Sequence, residues 1–164
     1  MNVGASAPEE AGLYFSWGNT QGHTTSEGYE FTQASYNNTP GVEISGNIPL
    51  SQDAARVNMG GSWRMPTQTE FAELVNNCTF LWTTQNGRKG ALCTSNVNGH
   101  SIFFPAAGRF RGAQIEGFGE FGLYSSSTIS DVENACGLGF GEEEASIVNT
   151  ITRYIGLPVR AVQD

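Results

Sequence analysis

Basic residues are scarce in this chain. Eight Lys and Arg stand against 16 Asp and Glu in 164 residues, a formal charge of −8. That balance excludes the ordinary nucleic-acid binder, whose affinity rests on cationic contacts to phosphate, and it disfavours an anionic membrane surface for the same reason. Histidine is nearly missing. His23 and His100 are the two present, and neither has a Ser or Cys partner at a recognisable spacing. Three cysteines, Cys78, Cys93 and Cys136, allow at most one disulfide and leave one thiol over. None of their spacings is CxxC, so a zinc or redox motif is not indicated, and they read as small core residues. No apolar run approaches the length of a transmembrane helix, so membrane insertion is not expected. The opening "MNVGASAPEEAG" lacks the basic start and apolar core of a signal peptide. The chain is therefore expected to be used without secretion or to be an excised domain.

What is present points to many short elements. Glycine numbers 21, and Asn, Ser and Thr are abundant, which suits turns and short strands better than long helices. With 38% hydrophobic and 11% aromatic residues, the chain can bury a core of its own as one domain. "GLYFSWG" (12–18) alternates and reads as a strand. Residues 19–49 are polar and read as a long loop, with a short strand near Tyr29–Phe31. "LSQDAARVN" (50–58) reads as a short helix with Ser51 as its N-cap and Asp53 in the first turn, ended by the glycines of "NMGG".

"GGSWRMPTQTEF" (60–71) is the most informative stretch. Pro66 disfavours helix at Met65 and cannot lie inside one. Thr67 with Glu70 three residues on is a capping box. Phe71, Leu74 and Val75 then form one apolar face. Arg64 and Arg160 are expected to be structural, each held by a carboxylate such as Glu70 or Glu73. Next, "FLWTTQNGRKGALCTSNVNGHSIFFPAAG" (80–108) has three apolar runs separated by Asn86-Gly87 and Asn98-Gly99, which predicts a three-stranded antiparallel meander. Further strands are read at 122–128, at 137–141 and at the close, where Pro158 suits a strand start or edge. The order is strand, two helices, then short antiparallel strands: an α+β domain in which the first and last strands pair.

Four stretches in order, "GLYFSWG", "DAARVNMGGSWRMPTQTEFAELVNNCTFLWTTQNG", "NGHSIFFPAAG" and "GLPVRAV", resemble the Fibrobacter succinogenes major paralogous domain family. That family is common in gut Bacteroidetes and their phages and is similar to C-type-lectin-like folds. "WRMPTQTEF" also resembles the "RLPTEAEW" element of the formylglycine-generating-enzyme superfamily. The resemblance runs from about residue 12 to 162. It implies a C-type-lectin-like domain over 1–164, with 1–11 as an N-terminal extension. It implies a non-enzymatic binding or display module, favoured here as a phage virion protein (fibre or capsid decoration) that contacts a host surface glycan or protein. The alternatives are a polysaccharide-binding domain of a secreted or surface-anchored bacterial protein, and a purely structural virion subunit, in either case with homo-oligomers open. Formylglycine-type chemistry needs two nearby cysteines holding copper toward the C-terminal end, where this chain offers Cys136, since Cys78 and Cys93 belong to framework segments.

The family's usual Tyr-Trp-Ser-Ser run reads "LYSSST" (123–128) here, and 129–154 follows its own path. In diversified relatives this region faces ligand. The resemblance therefore places the binding surface on 124–154, with Tyr124, Ser126, Asp131, Glu133, Asn134, Arg153 and Tyr154 as ligand-binding candidates. Tyr and Arg supply rigid contact area at interfaces. No Lys or Arg occurs from 131 through 144, so Asp131, Glu142, Glu143 and Glu144 are weak calcium candidates. The Glu-Pro-Asn, Gln-Pro-Asp and Trp-Asn-Asp signatures of lectin calcium sites are absent, which favours a solvated acidic loop and no cofactor.

Overall fold

Thr67 starts the longest helix as its sequence requires. In the computed structural model, which describes residues 1–36 and 46–164, the Thr67 hydroxyl accepts from the Glu70 amide and the Glu70 carboxylate accepts from the Thr67 amide, closing the capping box. The same carboxylate takes two hydrogen bonds of 2.8 Å from Arg64, as expected. Chiefly for that reason its pKa falls from 4.5 to about 2.

The elements follow in chain order. Strand β1 is Tyr14–Phe15. Helices α1 (Gln33–Tyr36) and α2 (Ala54–Met59) precede β2, Trp63–Arg64. Helix α3 is Gln68–Asn77. The meander is β3 (Cys78–Gln85), β4 (Arg88–Ser95) and β5 (Ser101–Pro105). A small ribbon, β6 (Arg109–Arg111) with β7 (Gln114–Glu116), leads to β8 (Gly122–Ile129), β9 (Asn134–Phe140) and β10 (Ala145–Thr152). Short strands β11 (Leu157–Pro158) and β12 (Val162–Gln163) end the chain. This is an α+β arrangement of mostly antiparallel strands with few short helices. Among the described residues no helix is long and apolar enough to cross a membrane.

The meander forms as predicted, and its first turn shows why. Asn86 and Gly87 both have positive φ, 48° and 78°, the two-residue geometry that matches strand twist. Its inner face carries Phe80, Cys93, Trp82, Ala91 and Phe104. Those side chains meet Phe71 of α3 and Tyr124, Leu138 and Phe140 of the β8–β9–β10 sheet in the largest buried cluster. Cys93 and Cys136 are buried and Cys78 half-buried, all three as free thiols. Burial, helped by neighbouring Cys78, pushes the Cys93 thiol up to about 12.

Several expectations are corrected. The closing strand, read with Pro158 at its start or edge, is split in two: β1 pairs with β11, Tyr14 opposite Pro158, while β12 pairs with β2. The reason is a change of direction after Val159: its carbonyl accepts from Val3, and Val162 then lies opposite Arg64. Residues 1–11, read as an N-terminal extension, pack onto the domain. Asn2 and Val3 are buried, and Val3 sits in a cluster with Phe15, Ala55, Met65 and Val159. Asp53, not Ser51, caps α2, because residues 50–52 form a separate 3₁₀ turn. Among the described residues Arg160 has no carboxylate partner, and it lies over the Phe104 ring. Phe31 makes only an isolated bridge to Gly112. The stretch 37–45 of the long loop lies outside the described residues.

Asp53 is 2% exposed, and its carboxylate accepts from the Arg56 amide and, with both oxygens, from the Met65 amide at 2.9 and 3.1 Å. Removing it strands a buried amide and a helix start together. Asp53→Ala is expected to lower the urea unfolding free energy by about 3 kcal/mol. A loss under about 1 kcal/mol would show that the bridge carries little. Glu70 has its own signature. Its folded pKa lies below the unfolded one, so its contribution is complete above about pH 4.5 and fades as pH falls toward 2. Glu70→Gln should therefore flatten the acid side of a stability-against-pH curve. An unchanged acid limb would refute this.

Candidate functional site

The β8–β9–β10 sheet has two unlike faces. Tyr124, Leu138 and Ile147 lie in one register row, and Gly122, Phe140 and Ala145 in another; both rows point into the core. The intervening row, Leu123, Gly139 and Ser146, points the other way. Gly139 leaves that outer face without a side chain, and Gly141 follows just past the strand end. The result is an open groove of about 380 Å³. Its floor is Phe121, Leu123 and the Gly139 backbone; its rim is Glu142, Glu143 and Glu144 with Ser146. All three glutamates are exposed on a tight turn closed by the Gly141 amide donating to the Glu144 carbonyl. On the other side of that turn lies a second concavity of about 220 Å³, bounded by Val75, Cys78 and Phe80.

The structure distributes the sequence candidates unevenly. Tyr124 is 0% exposed. Its hydroxyl donates to the Pro105 carbonyl at 2.8 Å and accepts from the Asn2 side-chain amide at 3.1 Å. Its ring sits edge-on to Phe104 at 5.2 Å, and burial raises its pKa. Ser126 is also fully buried, its hydroxyl donating to the Cys136 carbonyl at 2.7 Å. Arg153 is buried beneath the loop that precedes β9: it donates to the Asp131 carbonyl, and its guanidinium lies 4.7 Å from the Trp17 ring centre. These three therefore belong to the framework and not to a contact surface. They follow the inward phase of β8, or fix a loop from below.

Asp131, Glu133 and Asn134 do reach the surface, at the opposite end of β9 from the glutamates. Asp131 is an exposed turn-former, accepting from the Glu133 and Asn134 amides at 2.8 Å each. The Asn134 side-chain amide is the main cause of its lowered pKa. Between them Val132 is 73% exposed. Tyr154 is half-buried against Ile151, Ile155 and Leu157. The weak calcium set is not brought together. The seven residues of β9 separate Asp131 from Glu142–Glu144 by about 20 Å, far beyond shared coordination. Among the described residues no three His, Cys, Asp or Glu side chains gather as a metal site.

The groove itself was not foreseen. No strand was predicted over its third wall, β10, although "ASIVNTIT" is rich in β-branched residues. The alternation of glycine in "GLGFG" was the other available signal. Chemically, an apolar floor beside a row of carboxylates suits a ligand with an apolar face and hydrogen-bond donors along its edge. Sugar rings have that character, and so do basic side chains.

No protein-family model matches the chain, and no curated protein or solved structure does. Placing Tyr124 in the core generates a direct check. Tyr124→Phe should cost about 1–2 kcal/mol by urea unfolding, since it removes the hydroxyl's hydrogen bonds with the Pro105 carbonyl and the Asn2 amide. Tyr124→Ala should cost about 3–5 kcal/mol. A stability unchanged in both variants would contradict this placement.

Proposed function

We propose that this chain is a non-enzymatic binding module of C-type-lectin-like type, displayed on a phage virion as a fibre or capsid decoration, that holds a host surface glycan in the groove along β9. One observation carries the reading. A concave strip with an apolar floor and a row of acceptors lies on the outer face of a sheet whose inner face is locked into the core. The ligand then meets a surface that needs no rearrangement, which lowers the ordering cost of binding. Glu142, Glu143 and Glu144 accept from hydroxyl or amino groups of the sugar, and Phe121 and Leu123 take its apolar face. The resemblance to the Fibrobacter succinogenes major paralogous domain family supports the display role and the virion setting. The same groove also fits a polysaccharide-binding domain of a surface-anchored bacterial protein.

A second reading, a structural virion subunit, is favoured by β3. It is an edge strand: among the described residues no strand pairs with its outer side, it carries no charge, and Leu81 is 60% exposed. Such an edge is a template for strand addition by a second copy or a neighbouring subunit.

The test is binding to a panel of gut-bacterial surface glycans and to intact cells. Ser146→Trp, which fills the groove from an exposed position, and the combined Glu142→Gln, Glu143→Gln, Glu144→Gln variant should each weaken binding at least tenfold. Val132→Ser, at the far end of β9, should leave it unchanged, and so should a calcium chelator. Absence of binding to every glycan and cell would sink the module reading. A concentration-dependent rise in mass abolished by Leu81→Lys would then favour the subunit.

A further inference from the structure

A further concavity, of about 280 Å³, lies between α3, β5 and the chain end around β12. Trp63, Phe71, Leu74, Ile102 and Phe104 line it, and Arg160 completes the wall. Glu70 also borders it, but both its oxygens are engaged. One accepts from Arg64, and the other from Arg64 and from the Thr67 amide and hydroxyl. Arg64 in turn bridges to Asp164 at 2.7 Å. The acidic groups nearby are thus already neutralised.

Arg160 is not. It is half-buried, and among the described residues its one hydrogen bond to a side chain is a 3.4 Å contact to the Asn2 side-chain oxygen. Its guanidinium lies 5.3 Å from the centre of the Phe104 ring. Among the described residues no carboxylate forms an ion pair with it. None of its nitrogens is sealed away without a partner, so the donors left over remain reachable. Burial lowers its pKa, yet a guanidinium keeps its proton at any ordinary pH. A permanent cation thus stands in an apolar hollow with most of its donors free. Its planar fork pairs with a carboxylate or phosphate through two parallel hydrogen bonds, and the apolar walls favour the singly charged, less hydrated carboxylate.

We infer that this hollow is a binding site for a small monocarboxylate with an aromatic or short aliphatic tail, its carboxylate on Arg160 and its tail against Phe71, Leu74 and Ile102. The volume, equal to about nine waters at liquid density, sets the size of the tail. The site is separate from the groove along β9 and stands or falls independently of it.

Phenylacetate and hexanoate are the probes, titrated into the whole chain and followed by amide chemical shifts, with 2-phenylethanol as the uncharged match to the first. At least one acid should give saturable shifts centred on Phe71, Leu74, Ile102 and Arg160, and phenylacetate should bind at least tenfold more tightly than the alcohol. Arg160→Met should remove that preference. Ile102→Trp, at the exposed rim, should block the acids while leaving Arg160 in place, so the test survives if the first variant fails to fold. The inference is overturned if neither acid saturates, if acid and alcohol bind alike, or if Ile102→Trp leaves acid binding intact.

Discussion

The carboxylate of Asp53 is the constraint on which the rest of this structure hangs. A buried charge of this kind persists only when donors surround it, and here they come from two segments. The Arg56 amide belongs to the helix that Asp53 starts, and the Met65 amide belongs to the strip leading into α3. Fixing Met65 fixes its neighbours. The Pro66 carbonyl accepts from Ser127, and the Gln68 amide donates to the Thr128 hydroxyl, so the same strip pins the end of β8. Arg64, one residue earlier, joins Glu70 of α3 to Asp164 at the chain end. A stretch of five residues thereby sets the positions of two helices, one sheet and the C-terminus.

That framework explains why the residues most attractive as ligand contacts are not on the surface. Tyr124 lies in the inward phase of β8, where α3 and the meander need a large side chain to fill the space between them. Its polar tip is matched by the Pro105 carbonyl and the Asn2 amide, so burial leaves no unpaired group. Arg153 shows the same logic for a charge. It is tolerated inside because loop carbonyls and the Trp17 ring replace water around it. In both cases an aromatic or cationic side chain of the kind that anchors interfaces is used to hold the scaffold together.

The surfaces left for partners arise from omission. Gly139 and Gly141 leave a channel open at the end of β9, and an acidic turn rims it. Elsewhere, Arg160 faces a hollow with no matching anion among the described residues. The two concavities differ in charge and enclosure. The groove is wide and bordered by carboxylates, while the hollow is smaller and bordered by apolar side chains and one guanidinium. They therefore select different ligands, one rich in donors and the other anionic.

Local chemistry was legible in the sequence wherever a short-range rule decides the outcome. Pro66, Thr67 and Glu70 specify the start of α3, Asn86-Gly87 specifies the meander turn, and Arg64 was correctly matched with Glu70. The α+β class followed from the order of these elements. What the sequence could not decide was the phase of β8, the partner of the last strand and the fate of Arg160. Each depends on contacts between residues far apart in the chain: Tyr124 with Asn2, Val162 with Arg64, Arg160 with Phe104. A strand shifted by one residue exposes the opposite set of side chains, so only the packing of α3 and the meander against β8 and β9 settled which residues became core and which became groove.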